Sequence, residues 1–174
     1  RVRVPEVAEI SHAIDPLRTC AENAERKNAW CREREPEAVV LSADTVVVCD
    51  GECIEKPRSL EEAAVFLRRL GGRRHEVYTA VVFGGPGPLA ARAEVTRSAV
   101  WMKPLNDDDI QRYFERVNPM DKAGAYSIDS HGDLIIERYE GSRSNIMGLP
   151  REPVRAWLNR HPEFRIGNTQ RSRP

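Results

Sequence analysis

Asp44 is the residue whose position most needs a chemical explanation. It interrupts a run that reads Ala38-Val-Val-Leu41 before it and Val46-Val-Val48 after it. An ionised carboxylate inside such a strand is costly unless a metal, a cation or hydrogen bonds compensate it. An aspartate at a strand end or bulge, capping a neighbouring backbone, would explain the same pattern, and the spacing leaves both readings open. Lys56, in Glu55-Lys-Pro57, stands at the exit of the hairpin that Asp44's strand begins. Taken alone it has the position of a solvated lysine. Lys27 flanks the apolar stripe of the first helix, where a long side chain can lay its methylenes along the surface and keep its charge in water. Glu9 carries no signal by itself.

Other clusters have plainer explanations. Gly84-Gly-Pro-Gly-Pro88 lacks the Gly-Lys-Ser/Thr ending of a phosphate-binding loop, and its prolines remove N–H donors. Asp107-Asp-Asp109 falls in the first turn of a helix, where negative charge complements the dipole. Asp121 to Tyr126 and Gly141 to Asn145 are loops rich in small residues, suited either to close approach of a ligand or to tight packing. None of the four histidines lies in a nucleophile–base motif. A zinc site from Cys49, Cys53 and His75 lacks standard ligand spacing.

The elements that must position these residues follow from periodicity and punctuation. Asp15-Pro16 starts a helix as cap and first residue, with Leu17, Cys20, Ala21, Ala24, Asn28 and Cys31 on one face. Ala38 to Cys49 is apolar on both alternating faces, as a central strand should be. Asp50-Gly51 turns it into a short strand, Glu52 to Ile54. Ser59-Leu-Glu-Glu62 is a capping box opening a helix with Leu60, Ala63, Ala64, Leu67 and Leu70 on one face, closed by Gly71-Gly72. Strands follow at Glu76 to Phe83 and Leu89 to Trp101. Asn106 caps a helix that turns Ile110, Tyr113, Phe114 and Val117 inward. Leu134 to Ile136 begins a further strand, and Glu152 to Asn159 is a last helix. From Arg160 onward the pattern dissolves, and residues 160–174 read as a disordered tail on a single domain of residues 1–159. The expected fold class is α/β, a mixed twisted sheet with flanking helices.

Composition narrows the function classes. Lys plus Arg equals Asp plus Glu, 27 each in 174 residues, which favours neither nucleic acid nor an anionic membrane as partner. No apolar run approaches the roughly 20 residues that span a bilayer. Cys20 and Cys31 lie about three turns apart on one helix, too far for a disulfide, and the Asp50-Gly51 turn pairs Cys49 with Glu52 rather than Cys53. Reduced thiols and a cytoplasmic location are the resulting expectation.

Taken in order, the segments from Val4 to Leu158 resemble the Maf-like nucleotide pyrophosphatases. The densest are Ser42-Ala-Asp-Thr-Val46, Glu55-Lys-Pro57, Ala63 to Leu70 ahead of Gly72, His75-Glu-Val-Tyr-Thr79, Asp121 to Tyr126 and Glu140 to Pro150. The resemblance implies a fold like that of the inosine triphosphate pyrophosphatases, with two lobes around a nucleotide cleft. It implies hydrolysis of a nucleoside triphosphate to monophosphate and pyrophosphate with a divalent cation, Mg²⁺ or Mn²⁺. Asp44 then matches the family's proton acceptor and a metal-site carboxylate, joined at the metal by Glu9. Lys27 and Lys56 match the phosphate-binding lysines. Asp44-Thr45 and Lys122-Ala-Gly-Ala-Tyr126 resemble the branch acting on dTTP and UTP, so dTTP, UTP or modified pyrimidine nucleotides are the expected substrates, with Thr45 in the substrate site. That branch carries Gln where this chain has Asp129, and an ionised carboxylate can only accept hydrogen bonds. Asp129 is therefore expected to read a base edge differently. A homodimer is compatible with the resemblance.

The chemistry fits those roles. A triphosphate carries about four negative charges, so catalysis needs fixed cations on its oxygens and a base to orient water. Relatives supply further donors from a Ser-x-Ser-Pro-Arg-Arg loop, and nothing like it precedes Val4; Arg1 and Arg3 do not replace it. The expectation is a longer natural product, with residues 1–174 alone weakly active or inactive. Two rival readings are a non-catalytic nucleotide-binding domain and a nucleic-acid binder using Arg160, Arg165, Arg171 and Arg173. Neutral charge without basic–aromatic interleaving argues against the second.

Overall fold

Helix α1 (Pro16–Arg34) begins where its cap predicts, with the Asp15 carboxylate accepting from the Arg18 amide. The structure is a computed structural model that describes residues 1–12, 15–86 and 92–164. Cys20, Ala24, Asn28 and Cys31 are buried along α1 as expected, whereas Leu17 is half exposed; Thr19 and Asn23 are buried beside them. The central strand β1 (Val40–Cys49) turns through Asp50-Gly51 into β2 (Glu52–Ile54), with Cys49 opposite Glu52. Both turn residues have positive φ, which Gly adopts freely and Asp tolerates. Helix α2 (Leu60–Leu70) then leads across to β3 (Arg74–Gly84), which pairs with β1 and β4 (Arg92–Met102). The Ser59 hydroxyl accepts from the Glu62 amide, but the Glu62 carboxylate bonds the Arg58 amide, one residue outside the expected box. Leu89 to Ala91, expected in β4, lie outside the described residues. Helix α3 (Asp107–Phe114) has a complete capping box between Asn106 and Asp109, and Asp107 pairs with Arg68.

Among the described residues five strands run β2-β1-β3-β4-β5, the last being β5 (Ile136–Glu140). Every pairing is antiparallel, which corrects the expected mixed sheet. The reason is connectivity. β2 and β3 sit on opposite sides of β1, so the α2 crossover joins strands that never touch. The expected strand start at Leu134 is also displaced. His131 adopts the left-handed conformation, Gly132–Leu134 forms a 3-10 turn, and β5 (Ile136–Glu140) follows. The 141–145 segment is not a plain loop: α4 (Arg143–Ile146) forms there, capped by the Ser142 hydroxyl. Helix α5 (Arg151–Arg160) extends to the expected domain limit. Trp157 stacks on Phe83, His161 and Phe164, so packing against the sheet continues past the expected domain limit to residue 164. Residues 165–174 of the expected tail lie outside the described residues.

Period-two alternation makes β1 and β3 two-faced. Val46, Val48, Ala80 and Val82 pack with Cys20 and Ala24 of α1. Val47, Cys49 and Val77 face the other way, into a core built with Leu67 and Leu70 of α2 and Ile110 and Tyr113 of α3. Val81 and Phe83 continue that face under Trp157. Helices thus cover both faces, which is why the strand sequence is apolar throughout.

His75 sits in this sheet at 1% exposure, its Nε2 2.7 Å from the Tyr126 hydroxyl. Burial, helped by the Arg74 charge, pushes its pKa down to about 4. The unfolded chain, with an ordinary histidine pKa of about 6.5, binds the extra proton first. Stability from this group is therefore complete above that value and is lost as pH falls toward 4, by up to about 3 kcal/mol. Urea unfolding of the wild type and His75→Gln between pH 7.5 and 4.5 should show a steeper decline for the wild type. Parallel declines would remove His75 as the cause.

Candidate active site

Three polar residues of α1, Thr19, Asn23 and Lys27, are spaced four apart and so share one stripe beside the apolar face. This stripe organises the site. The Thr19 hydroxyl accepts from the His12 amide, and the Asn23 side chain bonds both the amide and the carbonyl of Ile10, at 2.8 and 2.9 Å. Those bonds lay residues 9–12 along α1 and set Glu9 beside Lys27. Sequence reasoning missed Asn23; the available signal was a polar residue at i−4 from Lys27.

Asp44 projects from β1 toward the same stripe. The Lys27 ammonium donates to Asp44 Oδ1 at 2.5 Å and to Glu9 Oε1 at 2.8 Å. Asn23 Nδ2 lies 3.5 Å from the other Asp44 oxygen. Lys56, just past β2, reaches Glu9 Oε1 and Oε2 at 3.0 and 3.3 Å. The structure thus brings Glu9, Lys27, Asp44 and Lys56 into one chain of alternating charge.

Burial raises the Asp44 pKa, and the Lys27 hydrogen bond and charge only partly offset it. For Glu9 burial acts in the same direction, but two lysines outweigh it and the pKa falls. Burial would depress Lys27, yet the bonds and charges of Asp44 and Glu9 prevail and its pKa rises. Lys27 is therefore a fixed cation, while Asp44 is an unusually basic carboxylate.

A cleft of about 370 Å³ opens over this group. Lys27, Asp44, Lys56, Asp121 and Lys122 give it a charged end, and Val77, Tyr126, Ile146, Met147 and Gly148 an apolar wall. A second hollow, holding Glu9 and Asn23, meets it at Asp44 and Lys56. Thr45 lines the cleft from the opposite face of β1, its hydroxyl 2.9 Å from that of Thr79. Gly124 and Ala125, both at positive φ, carry the 121–127 segment past β1, and Gly124 N donates to Glu55 O. A Cβ on Gly124 would stand 3.1 Å from Val47. Asp129 is not brought to the cleft: its exposed carboxylate pairs with Arg143 at 3.0 Å, and Ser127 lines the cleft instead. Arg1 and Arg3 pair with Glu35 at the far end of α1.

The donor set is suited to a hard divalent cation. One ammonium nitrogen bridges Asp44 and Glu9, so two carboxylates already converge on a single positive charge. Among the described residues no group of three His, Cys, Asp or Glu side chains could hold a metal. Two carboxylates leave further coordination to ligand oxygens and water, the usual arrangement of Mg²⁺ at phosphate sites.

Fold and cleft define an α/β protein whose pocket gathers lysines and carboxylates at one end and apolar side chains at the other. The chain belongs to the Maf-like protein family, whose profile matches residues 1–161. It is 45% identical over 127 residues to a dTTP/UTP pyrophosphatase of Bacillus velezensis, covering 73% of this chain and 66% of that protein. It is 37% identical to one of Carboxydothermus hydrogenoformans, covering 84% of this chain and 78% of the relative. A third, from Akkermansia muciniphila, is 37% identical over 90% of this chain and 82% of the relative.

The Lys27–Asp44 pair should be strongly coupled. Lys27→Met leaves a buried carboxylate without its cation and should cost about 3 kcal/mol at neutral pH. Adding Asp44→Asn removes the orphaned charge and should recover most of the loss. Denaturant titration of both variants measures this, and equal stability of single and double variants would show that the pair is not coupled.

Proposed function

We propose that this chain hydrolyses nucleoside triphosphates, with dTTP and UTP or modified pyrimidine nucleotides as the substrate class, to the monophosphate and pyrophosphate. The observation that carries the reading is the Glu9–Lys27–Asp44–Lys56 cluster at the charged end of a cleft whose other wall is apolar. The relatives named dTTP/UTP pyrophosphatase support it. The two-lobed cleft of the inosine triphosphate pyrophosphatases is part of the same proposal, as is a cytoplasmic setting.

Lys27 and Lys56 would exchange their carboxylate partners for phosphate oxygens and neutralise the chain as it enters. That exchange frees an Asp44 oxygen to take a proton from water attacking the α-phosphorus. The leaving group is then pyrophosphate. Glu9 and Asp44 would hold a divalent cation such as Mg²⁺ or Mn²⁺, which supplies charge neutralisation on the phosphate oxygens. Thr45 and the apolar wall would meet the nucleoside. Asp129, bound to Arg143 beside the cleft, would act on the base only through that ion pair.

Asp44→Asn should lower kcat by about 10²–10⁴ while the protein stays folded. A folded variant with near-normal turnover would remove Asp44 as the base. Chelation should abolish turnover and added Mg²⁺ or Mn²⁺ restore it. Product analysis decides the bond cleaved: pyrophosphate is expected, and orthophosphate as primary product would defeat the proposal. Lys56→Ala should weaken triphosphate binding more than nucleoside binding, and equal losses would count against a phosphate role.

A further inference from the structure

Thr79 is buried at 0% exposure on β3, directly opposite Thr45 of β1. Its hydroxyl is 2.9 Å from the Thr45 hydroxyl and 3.0 Å from the Asn145 carbonyl. Proton bookkeeping settles the directions. A carbonyl only accepts, so the Thr79 proton goes to Asn145 O. Thr79 then has only lone pairs to offer Thr45, and the Thr45 proton is committed to Thr79. Toward the cleft, which Thr45 lines, its hydroxyl can only accept.

The far end of this relay is fixed independently. Asn145 is fully buried, with Nδ2 donating to Val77 O at 3.0 Å and to Ser98 Oγ at 2.9 Å. Its carbonyl also accepts from the Gly148 amide at 2.8 Å. Gly148 has φ +96° and turns the chain against Thr45, where a Cβ would stand 3.4 Å from the hydroxyl. One carbonyl therefore holds both Thr79 and the lip of the apolar wall.

We propose that Thr79 is a positioning residue for base selection, locking the Thr45 hydroxyl into an acceptor-only state that favours a pyrimidine presenting a ring N–H. The proposal rests on the pyrimidine nucleotide reading above. The lysines draw the phosphates to one end of the cleft, which leaves the Thr45–Met147 wall for the base. Uracil and thymine carry an imide N3–H donor, whereas cytosine has a bare acceptor nitrogen at the same place. Two acceptors facing each other repel, so the locked hydroxyl discriminates against cytosine.

The test measures equilibrium binding of UTP and CTP by calorimetry in Thr79→Val, Thr79→Ser and wild-type protein, with pyrophosphate release followed separately. Valine keeps the shape but frees the Thr45 proton, so the UTP preference over CTP should shrink roughly 3- to 10-fold. Serine keeps the hydroxyl and should retain the preference. A purely structural Thr79 would lower thermal stability and leave the ratio unchanged. That unchanged ratio in a folded Thr79→Val, or a wild type that binds UTP and CTP alike, would overturn the proposal. Binding discrimination with no pyrophosphate release would instead sink the hydrolytic reading and leave this one standing.

Discussion

The buried ion pair between Lys27 and Asp44 is the constraint around which the site is arranged. A carboxylate among the valines of β1 is tolerable only because a polar stripe of α1 lies over it. That stripe does two jobs at once. Lys27 neutralises Asp44, and Asn23 and Thr19 hold residues 10–12 so that Glu9 reaches the same lysine. Lys56 then closes the group through Glu9. The result contains two positive and two negative groups, a small internal salt. A metal complex of a triphosphate is a salt of the same kind, with its cation able to take the carboxylates and its anion the lysines. Exchange of partners would keep every charge compensated, which matters where water is scarce and an uncompensated charge is costly.

How legible this was from sequence depended on whether a signal was local. Asp15-Pro16, Asp50-Gly51 and Asn106 act within a few residues, and the caps and turn appear where their chemistry requires. Asp44 was legible as an anomaly, but the resemblance offered Lys27 only as a phosphate lysine, and their pairing was not legible because Lys27 lies 17 residues away on a helix whose rotation no local rule sets. The departures from expectation have the same origin. Leu134 has strand-like neighbours, yet His131 and Gly132 turn the backbone before a strand can start. The small residues of 141–145 look like a loop because α4 is a single turn, stabilised by the Ser142 cap and by Asn145 bonding into the sheet. Asp129 was assigned a base contact by alignment with a glutamine. Its charge instead finds Arg143, a partner that a neutral glutamine would not attract so strongly.

Asp44 and Thr45 are consecutive, so on a strand they must point to opposite faces of the sheet. Both nevertheless line one cleft. Strand order explains this. β2 pairs only with Val47 to Cys49, and among the described residues no strand pairs with β1 before Val47 on the side away from β3. The flank of β1 at Asp44 and Thr45 is therefore open, and a ligand lying along it can meet side chains from both faces. One strand can then divide the work. Its α1 face holds the ionic group, while its other face, through Thr79 and Asn145, holds the lip of the apolar wall. The two sets share the backbone of β1 but no side-chain partner. Substitutions on the Thr79 side should therefore alter what the cleft selects without disturbing the charges that would do the chemistry, and that separation would let the preferred base change while the reaction is kept.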